Sequence, residues 1–285
     1  MYELIHAERA NLSVARSCRV LGVSRSGYYK WLHAEPSPRS VDDAVLAAEV
    51  AEVFHEHRGR YGAPRVRHAL RGRSPRPSKK RVARVMRTLG LRGHTPRRFR
   101  RTTDSRHTKR IAPNLLDRNF EVHAPNRVLA GDITYISTTD GWLYLAVLLD
   151  LYSRRVVGWA MSDRIDTELA LSALDGAASS RALEANWIHH TDRDSRYGSD
   201  DYLAALEQLG ARPSMSRKGD CWDNAVSESF FATVEKELLA LQPLQSRRNT
   251  REQVANYIEN YYNLVRLHSH LDYVSPIEFE TNAPS

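Results

Sequence analysis

The chain has 285 residues, of which 41% are hydrophobic and 27% charged, a composition typical of a folded protein and too apolar for a wholly disordered one. Its 42 Lys and Arg exceed its 34 Asp and Glu, so the net charge is +8. No stretch approaches the roughly 20 apolar residues of a membrane-spanning helix, and the N-terminus lacks the apolar core of a signal peptide. Two cysteines cannot by themselves build a disulfide framework or a zinc cluster, which fits a reducing cytosol.

The charge is distributed unevenly along the chain. Residues 1–118 contain 27 Lys and Arg against 10 Asp and Glu, a net charge of +17, whereas residues 119–285 contain 15 against 24, a net charge of −9. Residues 57–110 hold 20 basic residues and one acidic residue. Such a block repels itself unless a polyanion neutralises it, and nucleic acid is the commonest such partner. We therefore predict nucleic-acid binding by the N-terminal half; a solvated basic face or a disordered arm is the alternative.

Residues 1–35 are predicted to contain a helix-turn-helix-like pair. The first helix covers residues 14–21, Gly22 supplies the positive φ that ends it, and Ser24 caps a second helix that contains Arg25. This spacing fits a DNA-binding helix-turn-helix and a simple helical hairpin equally well. In the first case, Ser24 and Arg25 are candidate DNA contacts.

A linker over residues 36–41 precedes a predicted basic helical DNA-binding domain over residues 42–95. Its last helix is capped by Ser78, ends at Gly90 and carries one apolar stripe at helical spacing. The basic residues of this helix lie largely off the stripe, so one side can pack while the other contacts phosphates. These candidates are Lys79, Lys80, Arg81 and Arg84. The basic linker that follows, residues 96–118, adds further residues that can follow a DNA backbone, namely Arg97, Arg98, Arg100 and Arg101.

After residue 119 the pattern changes to strands separated by helices. Three strands rich in β-branched and aromatic residues, over 128–137, 142–150 and 154–162, predict an antiparallel meander. Two short strands alternate with helices after it, and two helices, over 222–241 and 250–267, end the chain. This order permits a mixed five-stranded sheet with helices on both faces. We assign residues 119–240 to this α/β core and residues 241–285 to a C-terminal helical extension.

Three acidic residues of the second half can converge on one metal site. Asp132 lies inside an otherwise apolar strand, and Asp192 follows the fourth strand, where open α/β sheets place their ligands. Glu228 lies on a later helix, with Asn224 one turn before it on the same face. Clustered carboxylates repel one another unless a cation binds, and their oxygens favour Mg²⁺ or Mn²⁺. Each acid taken alone fits an edge, capping or surface role as well.

Several long stretches resemble the integrase core of bacterial insertion-sequence transposases of the second-open-reading-frame type and, more distantly, retroviral integrases. They are GDITYIS, GWLYLAVLLDLYSRRVVGWAMS, HHTDRDSRYGS, SMSRKGDCWDNAVSESFF and YNLVRLHSHL…SPIEFE. The stretches RGRYGAPRVRHAL and KKRVARVMRTLGLRG resemble the helix-turn-helix-like region of the same transposases. The resemblance thus covers nearly the whole chain, and it implies a ribonuclease-H-like integrase core.

The resemblance also implies a catalytic role for particular residues. The family's acidic triad matches Asp132, Asp192 and Glu228, with the family's 35 residues between the last two. The implied reaction is metal-dependent cleavage of DNA at the ends of the element, followed by attack of the freed 3′-hydroxyl on another phosphodiester. Two Mg²⁺ or Mn²⁺ ions would be bound, Asp132 contacting both and each of the other acids contacting one. Asn224 and Lys236 would contact DNA.

The chain departs from the family pattern at two positions. Asp194 stands where the family usually has glycine, which adds a carboxylate near Asp192. Glu235 stands where the family usually has Lys or Arg, and Lys236 follows it, rotated by about 100° around the helix. The histidine and cysteine zinc module of retroviral integrases is not expected, because no cysteines stand at metal-binding spacing from the C-terminal histidines.

The expected partners follow from the same resemblance. They are double-stranded DNA (the terminal inverted repeats and the target), further copies of this chain in a dimer or larger assembly, and an upstream-frame protein or fusion. The expected location is the bacterial cytoplasm, in association with the nucleoid and not with a membrane. Two alternatives stay open: a non-catalytic DNA-binding regulator on a degenerate integrase core, and a nuclease of the same fold that acts on RNA–DNA hybrids or junctions.

Overall fold

The structure, a computed structural model, describes most of the chain. The described residues are 1–35, 37–72, 76–94, 111–117, 119–217 and 221–282. The predicted DNA contacts Arg97, Arg98, Arg100 and Arg101 lie outside these ranges. Within them, no helix combines the length and the apolar character needed to cross a bilayer.

Three short helices form a small unit at the N-terminus. They are α1 (Tyr2–Ala7), α2 (Val14–Val20) and α3 (Arg25–Leu32). The predicted turn is confirmed, because Gly22 has a φ of 66° and the Ser24 hydroxyl accepts a hydrogen bond from the Gly27 N–H at 3.0 Å. Helix α1 was not predicted; its Ile5 is buried with Cys18 and Tyr28 in the core of this unit.

The basic region folds into a second helical unit. It contains α4 (Pro38–Glu56), α5 (Ala63–Ala69) and α6 (Lys79–Thr88). The predicted linker over 36–41 is wrong beyond Ser37, because the Ser37 side chain caps α4 and proline is well suited to the first helical turn. The predicted cap Ser78 and the apolar stripe of α6 are confirmed. Leu89, the last residue predicted for that stripe, instead follows the helix and is 41% exposed.

The second half of the chain is built on one mixed sheet of five strands. They are β1 (Val128–Thr138), β2 (Gly141–Asp150), β3 (Val156–Ser162), β4 (Ile188–Thr191) and β5 (Arg212–Met215). Their order is β3-β2-β1-β4-β5; the first three are antiparallel, and β4 and β5 run parallel to β1. The predicted meander and mixed sheet are confirmed, and β1 is the central strand.

Helices cover both faces of this sheet, as predicted. One face packs against α7 (Thr167–Ser180) and α8 (Asp200–Gln208). The other packs against α9 (Ala225–Glu237), α10 (Arg247–Asn256) and a π-helical continuation, Tyr257–Tyr262. The last helix, α11 (Pro276–Thr281), was not predicted. The helix predicted over 250–267 instead begins at Arg247, where the Ser246 side chain caps it, and ends at Tyr262.

The contact between β3 and α7 depends on a glycine. A Cβ at Gly158 would lie 2.6 Å from the Ala177 nitrogen and even closer to the Ala173 carbonyl oxygen. We expect Gly158→Ala to lower the free energy of unfolding by about 1–3 kcal/mol, because overpacking displaces the helix. Urea denaturation measures this. Gly176→Ala is the control in the same interface: its Cβ would lie no closer than 3.7 Å to its neighbours and it improves helix propensity. Equal losses in both variants would contradict the expected steric effect.

The basic helical unit is docked on the end of α9 through a buried carboxylate. Glu237, the last residue of α9, accepts hydrogen bonds from Arg266 Nε and Nη2, both at 2.8 Å, and from the Tyr257 hydroxyl at 2.9 Å. Arg65 of α5 pairs with the same carboxylate at 3.3 Å, and Arg60 Nε donates to the Glu237 carbonyl at 2.7 Å. Although burial opposes its charge, Arg266 and the other donors hold the pKa of Glu237 below its ordinary value.

Candidate active site

A short strand exposes the edge of the central strand. Parallel pairing between β1 and β4 runs from Val128 with Ile188 to Gly131 with Thr191, where β4 ends. Strand β1 continues to Thr138. Among the described residues, its remaining length has no strand beside it on this side, and a small cleft opens at that edge. The cleft is lined by Asp132, Ile133, Tyr135, Asp192, Asp194, Arg196 and Tyr197.

The sheet brings two of the three predicted acids into this cleft. Asp132 is the first residue of β1 beyond the pairing with β4, and Asp192 is the first residue after β4. Burial, and then the charge of Asp192, raises the pKa of Asp132 well above its ordinary value. Parallel pairing at Gly131 and Thr191 is therefore what makes neighbours of two acids that are distant in sequence.

The third acid, Glu228, lies in the first turn of α9 and is not among the residues lining the cleft. Its charge nevertheless contributes to the raised pKa of Asp132. Within the described residues, no three Asp, Glu, His or Cys side chains form a group that could hold a metal ion as they stand. In their chemistry, the three acids fit a hard divalent cation, because a bound cation relieves the repulsion between neighbouring carboxylates. In their geometry, Asp132 and Asp192 line the cleft, whereas Glu228 lies on α9 and does not line it.

Asn224 contacts the first acid directly. Its Nδ2 donates to Asp132 Oδ2 at 2.9 Å, while its Oδ1 is buried and has no hydrogen-bond partner within the described part of the chain. The other oxygen of Asp132, Oδ1, accepts from the Ile133 N–H at 2.8 Å. One side chain therefore links the turn before α9 to the edge of β1.

Three residues that the sequence reasoning missed, Asp223, Arg217 and His190, hold that turn in place. The Asp223 carboxylate accepts hydrogen bonds from the Arg217 N–H at 2.8 Å and from Arg217 Nε at 3.0 Å. The Asp223 carbonyl oxygen lies 3.0 Å from Nε2 of His190, which must donate because a carbonyl only accepts. His190 is buried on β4, two residues before Asp192. The adjacency of Asp223 to Asn224 was the one available sequence signal, and it does not identify the partners.

The additional carboxylate at Asp194 is paired with a cation inside its own loop. Asp194 is only 8% exposed, and its side chain pairs with the guanidinium of Arg196 and accepts the Arg196 N–H at 3.0 Å. Its own N–H donates to Asp192 Oδ1 at 3.0 Å. The departure from the family pattern therefore comes with a compensating cation, and the loop orients Asp192.

The predicted DNA contacts of the N-terminal half differ in what they already bind. The Ser24 hydroxyl caps α3, whereas the neighbouring Arg25 is exposed. Lys79 and Lys80 are exposed at the start of α6.

Arg81 and Arg84 are instead engaged within the helical unit. Arg81 Nε and Arg84 Nη2 each lie 2.8 Å from the Asp43 carboxylate of α4, and together they lower its pKa. On α9, Glu235 is exposed and Lys236 is half-buried. A DNA contact by any of these residues stays a prediction.

Family models match three parts of the chain. An HTH-like domain matches residues 40–99, and integrase core domains match residues 122–221 and 209–276. The HTH-like match thus falls on α4 to α6 and not on the helical pair within residues 1–35.

Solved structures of viral integrases are similar at low identity. The simian T-cell lymphotropic virus intasome in complex with the PP2A regulatory subunit B56 gamma is 16% identical, with a TM-score of 0.49 over 82% of this chain and 75% of that one. The HTLV-2 integrase catalytic core in complex with magnesium is 15% identical, with a TM-score of 0.43 over 55% of this chain and 97% of that one.

Curated relatives match over nearly their whole length. An uncharacterised 31 kDa protein of insertion element IS600 from Shigella sonnei is 42% identical over 92% of this chain and 96% of that protein. Transposase InsF of insertion sequence IS3A from Escherichia coli is 41% identical over 98% of each chain, and the IS904 transposase of Lactococcus lactis is 40% identical over 87% and 98%. The chain therefore belongs to the family of insertion-sequence transposases that join an HTH-like domain to an integrase core domain.

Proposed function

We propose that this chain binds the ends of an insertion sequence and carries out metal-dependent DNA cleavage and strand transfer. The observation that carries the proposal is the meeting of Asp132 and Asp192 at the edge of β1 beyond the end of β4, with the charge of Glu228 acting on the Asp132 carboxylate. Family membership supports the reaction class, because the relatives that bear names are transposases.

Asp132, Asp192 and Glu228 would hold two Mg²⁺ or Mn²⁺ ions. When bound, such a pair activates an attacking oxygen and stabilises a leaving oxygen in phosphoryl transfer. Asn224 meanwhile satisfies Asp132 Oδ2 through its amide. If the three acids held a cation, Asp132 would no longer need the amide of Asn224, which would then be available to the DNA backbone. The charge of Asp194 also contributes to the raised pKa of Asp132, and the pairing of Asp194 with Arg196 offsets part of that fourth negative charge.

The N-terminal units would hold the DNA. Lys79 and Lys80, exposed at the start of α6, are the stronger candidates for phosphate contacts, since Arg81 and Arg84 would first have to release Asp43. Further DNA contacts would come from Ser24 and Arg25 within residues 1–35, from the basic linker over 96–118, and from Lys236. We propose that the protein acts as a dimer or larger assembly in the bacterial cytoplasm, with an upstream-frame protein as a further partner.

Strand joining tests the proposal. End-labelled duplexes that tile the DNA flanking the coding sequence are incubated with the protein and Mg²⁺ or Mn²⁺. We expect cleavage at one end position and joining of that end to a second duplex, both abolished by EDTA. Specific binding without cleavage under either metal would contradict the proposed chemistry.

A non-catalytic DNA-binding regulator is the second candidate. It is favoured by the observation that no three metal-ligating side chains are gathered within the described residues. This candidate requires specific DNA binding that EDTA leaves unchanged, with no joined product at any metal concentration. The same assay therefore separates the two functions.

The ion pair between Asp194 and Arg196 gives a further prediction. Arg196→Ala would leave the buried Asp194 carboxylate uncompensated beside Asp132 and Asp192, and we expect a loss of about 10- to 100-fold in strand joining, as for other residues that support metal ligands. Adding Asp194→Asn removes the uncompensated charge and should recover most of the rate. A double variant as slow as Arg196→Ala alone would show that Arg196 acts in another way.

A further inference from the structure

Three aromatic side chains form an exposed patch on the β1–β2 hairpin. Tyr135 pairs with Tyr144, and Ser137 with Trp142, so the three rings lie on one face of the sheet. The Tyr135 ring is edge-to-face with the other two, at centroid distances of 5.2 Å to Tyr144 and 6.2 Å to Trp142. Trp142 is nevertheless 54% exposed and Tyr135 38%. The patch is therefore ordered by its own contacts and open to solvent.

The fold does not need this exposure. The same face of the sheet is covered further along by α7 and α8, where Leu129 and Leu148 are buried. Tyr144, the third residue of the patch, is partly buried and packs against that core. Grouped exposed aromatic side chains are a usual sign of a binding surface, because a single-molecule role would bury them.

The patch is continuous with the candidate active site. Tyr135 lines the cleft together with Asp132 and Asp192. The aromatic patch thus begins at the acidic cleft and extends along the hairpin to Trp142.

We propose that Tyr135 and Trp142 form a stacking platform for one unpaired nucleobase of the DNA whose scissile phosphate enters the cleft. The location of that phosphate rests on the proposed function. Aromatic rings accept the flat face of any base, so unpaired bases of DNA stack on them with little dependence on sequence. The ligand is therefore a nucleobase, and not an aliphatic protein segment.

Fluorescence of 2-aminopurine tests the platform directly. A 30-base-pair duplex with one unpaired 2-aminopurine nucleotide at its end is titrated with the full-length protein in EDTA, so that no cleavage takes place. We expect quenching on binding by the wild type. Trp142→Ala should remove the quenching and weaken binding by roughly 5- to 150-fold, the range for loss of one stacked base. Trp142→Phe should keep both, and Trp142→Leu should behave like the alanine variant.

An abasic probe gives the matched control. When the 2-aminopurine nucleotide is replaced by an abasic one, the wild type should bind as weakly as Trp142→Ala, and the variant should lose nothing further. Leu264→Ala, at another side chain that is 50% exposed, should bind the original probe like the wild type. Circular dichroism of each variant checks that the chain is folded.

The outcomes separate this proposal from the proposed function. Wild-type binding and quenching by Trp142→Leu would overturn the platform and indicate an aliphatic contact instead, as would a Trp142→Ala effect that persists on the abasic probe. Quenching in EDTA with no cleavage in Mg²⁺ would contradict the catalytic function and support the stacking platform. Cleavage by the wild type, together with unchanged binding and quenching by Trp142→Ala, would contradict only the stacking platform.

Discussion

Replacing Asp132 by asparagine is expected to abolish strand joining while leaving the protein folded. Asp132 lies at the edge of β1 just beyond the end of β4, where the charges of Asp192 and Glu228 both act on it. An amide there removes one of the three carboxylates proposed to hold the metal ions. Loss of a residue that only orients a metal ligand already costs about 10- to 100-fold in activity or metal affinity, so loss of the ligand itself should exceed that range. The measurement is the rate of joining of labelled ends in Mg²⁺.

Stability distinguishes this loss of chemistry from a loss of fold. Because burial and the neighbouring carboxylates disfavour the charge of Asp132, the asparagine variant should unfold at the same temperature as the wild type or a higher one when no metal is present. Mg²⁺ should raise the Tm of the wild type, since a ligand that binds only the folded state stabilises it, and should leave the variant unchanged. Asp175→Asn, at an exposed position of α7, is the control. A fully active Asp132→Asn protein would remove the proposed chemistry.

Glu237→Gln is expected to lower the free energy of unfolding by about 3–5 kcal/mol, the usual result of removing one partner from a buried ion pair. The side chain of Arg266 is only 4% exposed, and the substitution leaves its charge without a carboxylate. Arg65 of α5 loses the same partner, so the docking of the basic unit on α9 should loosen as well. Urea denaturation at neutral pH measures the loss. Glu252→Gln, which breaks an exposed pair with Arg248, should change stability by no more than about 0.5 kcal/mol.

The same pair has a defined pH dependence. Burial raises the pKa of Glu237, but Arg266 and the other donors outweigh it and the net pKa is below the ordinary value of 4.5. The stability that this carboxylate contributes is therefore complete above about pH 4.5 and is lost as the pH falls through the lowered folded-state pKa. The difference in stability between wild type and Glu237→Gln should shrink in that acidic range. A difference that stays constant down to pH 3 would contradict the pairing.

Local sequence signals predicted most of the elements. Ser24 and Ser78 marked helix starts correctly, because a capping hydroxyl acts on N–H groups only a few residues away. Alternating and continuous apolar runs predicted the strands for a similarly local reason, since they report which side of a strand is buried. The start of α4 at Pro38 differs from the predicted linker although its signal is local: a Ser37 cap followed by proline favours a helix start.

Long-range pairing decided the rest of the fold and the geometry of the site. No local pattern states that β4 pairs in parallel with β1, yet that pairing brings Asp192 beside Asp132. The basic residues that lie off the apolar stripe of α6 are predicted to contact phosphates. The packing of α4 against α6 instead gives Arg81 and Arg84 a partner in Asp43.

By itself, the sequence determined the class of elements, the charge division between the two halves and, through family resemblance, the three candidate acids. Only the tertiary structure decided that Glu237 joins α5, α9 and the C-terminal extension, and that Tyr135 and Trp142 lie exposed beside the cleft. The reason is physical: burial periodicity and capping act over a few residues, whereas the partner of a charge or a ring depends on which distant segments the topology brings together.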